Sequence, residues 1–133
     1  MADDDRDDRE IFIQALGELP LRTQVTEFSD GVDLMGNLFS AASLPNVIFL
    51  DLYMPIMDGF ECLYDIRNFP KFDSIKIVVY STSYVHREVK QLKQDGADQY
   101  LQKPTSYSKL KRVLLKSLRS IVIDEKPFST IRV

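Results

Sequence analysis

Apolar residues recur along the chain in two alternating rhythms, and the alternation predicts helices separated by strands. Ile11, Phe12, Ala15, Leu16 and Leu19 return at helical spacing, which predicts a helix over 5–19 that Pro20 stops. The β-branched pair Val25 and Thr26 marks a short strand over 24–28. After the turn Ser29-Asp30-Gly31, a second helix face is outlined by Val32, Met35, Leu38, Phe39 and Ala42. Val47 to Leu50 is an unbroken apolar run, the mark of a strand buried on both faces. Phe60, Leu63, Tyr64 and Arg67 carry a third helix, and 75–80 reads as a further strand. Val85, Val89 and Leu92 give a weaker helix with Gly96 as its stop. A short strand over 99–102 precedes a last helix, capped by Thr105 or Ser106, with Leu110, Val113, Leu114 and Leu118 inward. Such alternation implies an α/β fold, a doubly wound parallel sheet with helices on both faces.

Composition narrows the class. A chain of 133 residues is one domain by size, and 44% hydrophobic with 28% charged residues can fill a core. The net charge of −3 argues against direct nucleic-acid binding. No apolar run approaches the ~20 residues of a membrane span. The start is acidic (Asp3, Asp4, Asp5, Asp7 and Asp8), unlike a signal peptide. Cys62, the sole cysteine, has no partner for an intramolecular disulfide, which suits a cytoplasmic location.

Three polar residues each follow an apolar strand: Asp51, Ser81 and Lys103. Open α/β sheets bind ligands at the carboxyl ends of their strands. A carboxylate there can act as a nucleophile toward a phosphoryl group once the charge is neutralised. Mg²⁺ bridging carboxylates would neutralise it, with Asp3 and Asp4 able to supply the other acids. Lys103 offers a positive charge and Ser81 a hydroxyl donor to phosphoryl oxygens.

The segment Asp51-Leu52-Tyr53-Met54-Pro55-Ile56-Met57-Asp58-Gly59 resembles the phosphoacceptor segment of receiver domains in two-component response regulators. The resemblance covers about residues 3–119, and a tail, 120–133, follows. It implies a flavodoxin-like fold and a stand-alone, chemotaxis-regulator-like receiver domain. By that resemblance Asp51 is the phosphoacceptor, and Asp3 and Asp4 hold Mg²⁺ with Asp51 and the backbone carbonyl of Tyr53. Ser81 and Lys103 assist the transfer, and Tyr100 is the aromatic switch residue. Lys103-Pro104 resembles a lysine followed by a cis-bonded proline. The implied partners are a histidine kinase or histidine phosphotransfer protein and an output protein of unstated identity. The implied activity is phosphorelay signal transduction through an aspartyl phosphate. Such a protein is not an enzyme on other substrates; it catalyses only its own phosphoryl uptake and loss.

Two other functions compete. One is a protein-interaction module of the same fold that phosphate does not switch. The other is a Mg²⁺-dependent phosphohydrolase, which would want a general acid where Tyr53 stands. His86 reads as an exposed helix residue and Cys62 as a small buried hydrophobe.

Against the family, the first strand is missing, since only Met1 and Ala2 precede Asp3. That would leave unpaired backbone in the middle of the sheet, at roughly 1–3 kcal/mol for each buried group. The tail offers two replacements, 121–123 and the alternating stretch 128–133. A strand following an antiparallel last helix would run parallel, as the gap requires. It could come from the same chain or, in a homodimer by tail exchange, from a second copy.

Overall fold

The computed structural model describes residues 1–121 and 130–133. Its elements are α1 (Arg6–Gly17), β1 (Thr23–Gln24), α2 (Gly31–Ser40), β2 (Val47–Leu50), α3 (Gly59–Asn68), β3 (Lys76–Ser81), α4 (His86–Gln94), β4 (Gln99–Gln102), α5 (Tyr107–Ile121) and β5 (Ile131–Arg132). β2, β3 and β4 form a parallel ladder with Leu50 opposite Val79 and Ser81 opposite Gln102. Every residue of β2 is buried, as an apolar run without polar alternation requires.

Alternation along the strands divides the core into two layers. Ile48 and Leu50 face the side packed by Leu34 and Leu38 of α2 and Leu63 and Ile66 of α3. Val47 and Phe49 face Phe12 and Leu16 of α1 and Leu110, Leu114 and Leu118 of α5. Each such side chain contributes about 1.5–3 kcal/mol by leaving water.

Aspartates start three of the helices. The side chains of Asp5, Asp30 and Asp58 accept backbone N–H bonds from Asp8, Asp33 and Glu61. Glu61 returns a bond to the Asp58 backbone, completing a capping box. Gly96, at φ +113°, follows α4 in a conformation that suits glycine. Its carbonyl accepts from Arg67, whose guanidinium also reaches the Ile75 carbonyl and Asp98.

Several predicted faces are rotated. Leu34 replaces Val32 on the buried face of α2; Val32 and Phe39 are 49% and 45% exposed, and Ala42 lies beyond the helix. Ile11 of α1 and Tyr64 of α3 are exposed, while Cys62 and Ile66 face inward. Burial pushes the Cys62 thiol up to about 12, as for an inert core residue.

The gap in the sheet is filled from both directions. Ala2 bridges Phe28 on one side and Leu50 on the other, in parallel register. Its N–H donates to Phe49 O and its carbonyl accepts from Asp51 N–H, both at 2.9 Å. Behind it, β5 pairs in parallel with β1, with Thr23 opposite Ile131 and Gln24 opposite Arg132. The Arg132 carbonyl accepts from Asn46 N–H at 2.8 Å, so the tail also touches the start of β2. Thr26 joins the two pieces: its N–H donates to Val133 O at 3.1 Å and its carbonyl accepts from the Met1 nitrogen at 2.9 Å. The first strand is thus a composite of residues 131–133 and 1–3, not an absence. The tail strand comes from the same chain, so the sheet closes without exchange with a second copy. The strand lies within the 128–133 candidate, whose first two residues are outside the described ones. In the other candidate, Ile121 ends α5 and 122–123 lie outside the described residues.

Candidate functional site

Asp51 follows β2 directly, and the β2–β3–β4 register brings it level with Tyr80 and Ser81 at the carboxyl edge. The turn after it needs glycine. A Cβ on Gly59 would lie 2.2 Å from the Asp51 carbonyl oxygen, and the Gly59 N–H donates to Leu52 O at 2.9 Å. The Asp58-Gly59 pair therefore caps α3 and lets it pack against the acceptor's backbone. Ile56, between Pro55 and Met57, stands at φ +69°, a strained conformation for a β-branched residue.

Asp3 reaches the same edge through the composite strand. It is wholly buried; Asp5 N–H donates to its Oδ1, and Arg9 donates to its backbone carbonyl at 2.7 Å. Asp3, exposed Asp4 and buried Asp51 each present a carboxylate oxygen, all within 4.8 Å of one another. Three hard oxygen ligands in that space suit a divalent cation of the Mg²⁺ type. Tyr53 is exposed in the following loop, where its side chain takes no part in this cluster.

Lys103 follows β4, and its N–H donates to Ser81 O at 2.7 Å, locking the two strand ends together. Its ammonium lies 2.6 Å from Asp3, 2.8 Å from Asp8 and 3.8 Å from Asp51. The Tyr80 ring sits beneath it, 5.3 Å from the nitrogen. Burial opposes the lysine's charge, but the hydrogen bonds it donates to Asp3 and Asp8 outweigh it and hold its pKa above the ordinary range. Burial, then the neighbouring Asp3 charge, pushes the Asp51 carboxyl up to about 7, against the pull of Lys103. Three acids around one ammonium leave the site short of positive charge.

Ser81 is buried at the end of β3, its hydroxyl 3.4 Å from that of Ser83. Tyr100 is half-buried, donates to the Ser83 carbonyl at 2.6 Å and packs edge-on to Tyr84. No cis peptide bond occurs among the described residues, so Lys103–Pro104 is trans, contrary to the resemblance. Exposed His86 and the buried Cys62 take no part in the site.

The residue that sequence reasoning passed over is Asp8. In the sequence it is one acid of a crowded terminus. The available signal is its place in the first turn of α1, three residues after the N-cap Asp5 and on the acidic segment that carries Asp3 and Asp4.

Comparisons with known proteins agree with this arrangement. The sensor histidine kinase CheAY of Helicobacter pylori is 26% identical over 117 residues, 88% of this chain but 14% of the kinase. The two-component response regulator ORR5 of Oryza sativa subsp. japonica is 29% identical over 120 residues, covering 88% of this chain and 85% of its own. The chain spans less than half the length of the first curated relatives it matches, at 14%, 46% and 49%. Among solved structures, the phosphorylated cyanobacterial phytochrome response regulator RcpA superposes with a TM-score of 0.83 at 25% identity, covering 94% of this chain and 93% of that one. The Mn²⁺-bound form of response regulator Rcp1 does so at 0.79, with 23% identity and coverage of 96% and 95%, a likeness of fold. A family model described as the response regulator receiver domain matches residues 1–115, a span that takes in Asp3, Asp51, Ser81 and Lys103 alike. The chain belongs to the response regulator receiver domain family.

Proposed function

We propose that this chain accepts a phosphoryl group on Asp51 from a histidine kinase or histidine phosphotransfer protein and uses it to alter its surface for an output partner. The observation that carries the reading is the convergence of Asp3, Asp4, Asp51 and Lys103 at one sheet edge, around the single acid that ends the central strand. Asp51 Oδ attacks phosphorus, the O–P bond forms, and the P–N bond to the donor imidazole breaks. Asp3, Asp4, Asp51 and the Tyr53 carbonyl would hold Mg²⁺, which when bound offsets the charge gathered on the phosphoryl oxygens. The Leu52 N–H, 2.9 Å from Asp51 Oδ1, fixes the carboxylate. The Lys103 ammonium then pairs with one phosphoryl oxygen and the Ser81 hydroxyl donates to another. The activity ends with uptake and loss of its own phosphoryl group, in the cytoplasm where such donors work.

The proposed output surface is α4 with β3 and β4, where Ser81 and Tyr100 lie. The unswitched interaction module keeps one observation in its favour: Tyr100 is already half-buried and tethered to Ser83. It has lost another, because the missing strand is filled. Trifluoroberyllate separates the two. Amide shifts spreading from Ser81 to Tyr100 support the switch, and shifts limited to residues touching the anion support the module.

The transfer itself is tested by intact mass after acetyl phosphate and Mg²⁺. Wild type gains one phosphoryl group, and Asp51→Asn or chelation of Mg²⁺ abolishes the gain. An unchanged rate in Asp51→Asn overturns the assignment.

A further inference from the structure

Lys103 has one partner too many for a lysine that serves only the phosphoryl group. Its ammonium makes its two short contacts with Asp3 Oδ2, at 2.6 Å, and Asp8 Oδ2, at 2.8 Å, and stands 3.8 Å from Asp51. Asp3 and Asp51 belong to the carboxylate cluster; Asp8 does not. The other oxygen of Asp3 already accepts the Asp5 N–H. Lys103 and a cation at the cluster therefore draw on the same Asp3 carboxylate.

We propose that Asp8 is a positioning residue that parks the Lys103 ammonium while Asp3 and Asp51 take a divalent cation. The inference rests on reading Asp3, Asp4 and Asp51 as the cation site. Without Asp8, a lysine with only 9% of its side chain exposed would have the two cluster acids as its remaining partners. A cation would then have to strip a buried ammonium from both. With Asp8, the ammonium keeps a short, charge-assisted bond as it leaves Asp3. It also stays beside the cluster, ready to meet a phosphoryl oxygen. Asp8 is built for this: it lies in the first turn of α1, its N–H is fixed by Asp5, and its carboxylate, 36% exposed, stays partly hydrated. Its bland role is to favour the helix start, as Asp7 also does.

Calorimetric titration of the full chain with Mg²⁺ distinguishes these roles. Asp8→Asn is expected to weaken Mg²⁺ about tenfold, the equivalent of a close charge-pair coupling, and Asp8→Glu to recover most of the loss. In a Lys103→Met background, which has no ammonium to park, Asp8→Asn is expected to change affinity less than about twofold. Equal losses in both backgrounds would reduce Asp8 to a long-range charge and overturn the proposal. Binding that Asp8→Asn leaves unchanged would overturn it too, with the cation site intact. Absence of saturable Mg²⁺ binding in wild type, or affinity unchanged in Asp51→Asn, would overturn the cation site and this inference together. Thermal melting of each variant checks that the fold is kept, and only variants that melt cooperatively enter the comparison.

Discussion

The two halves of the sheet are built differently. In one, β2, β3 and β4 share ladders four residues long on each pairing, and the side chains of β2 and β3 are largely buried. In the other, two residues of β1 meet two of β5, Ala2 makes single bridges, and Thr26 stitches the pieces. Asp51, Ser81 and Lys103 hang on the first half. Asp3 and Asp4 hang on the second. The site therefore takes its nucleophile and its positive charge from the firm half, and much of its cation-holding charge from a seam.

Deleting residues 130–133 is the strongest way to break this contrast. The loss of buried Ile131 and Val133 and their ladder bonds should cost about 3–5 kcal/mol in urea unfolding. Mg²⁺ affinity should fall with it, because the strand piece behind Asp3 loses its neighbour. A destabilised protein with unchanged Mg²⁺ affinity would mean that the site does not lean on the seam. On the firm half, Gly59→Ala should cost about 2 kcal/mol by overpacking and slow phosphoryl uptake, because the new methyl meets the Asp51 carbonyl. Melting and the rate of mass gain would show both. An unchanged uptake rate would mean that the acceptor's backbone tolerates displacement.

The smallest expected effect is in pH. Asp51 is raised from 3.8 to about 7, so the folded state holds this proton more tightly than the unfolded chain does. Its contribution to stability is full below pH 3.8 and is lost as pH rises through about 7. A cation needs the ionised acid, so Mg²⁺ affinity should drop about tenfold from pH 8 to pH 6. Asp51→Asn should flatten both trends. A pH-independent Mg²⁺ affinity in wild type would place the titrating group elsewhere.

The firm half was legible because one rhythm sufficed. Val47–Leu50 is a short apolar run bounded by polar residues, which marks a strand buried on both faces, and the polar residue that ends it emerges at the edge. The helix faces were less so. In α2, Val32, Leu34, Met35, Leu38 and Phe39 cover too wide an arc for periodicity to pick the buried stripe, and packing on β2 chose Leu34 over Val32. The seam is foreseeable as a vacancy, from the unpaired backbone it would leave, and the parallel direction of its tail strand follows from an antiparallel last helix. Met1–Asp3 is not, since three residues show no period. Asp8 escaped for a related reason: its meaning lies in Lys103, ninety-five residues away.

That separation carries over to the order of assembly. β2 meets β3 across about thirty residues, whereas β1 meets β5 across more than a hundred, so closing the second loop costs about 1 kcal/mol more in chain entropy. The seam should therefore close last, after the rate-limiting barrier, and shortening the tail should quicken unfolding while leaving the refolding rate nearly untouched.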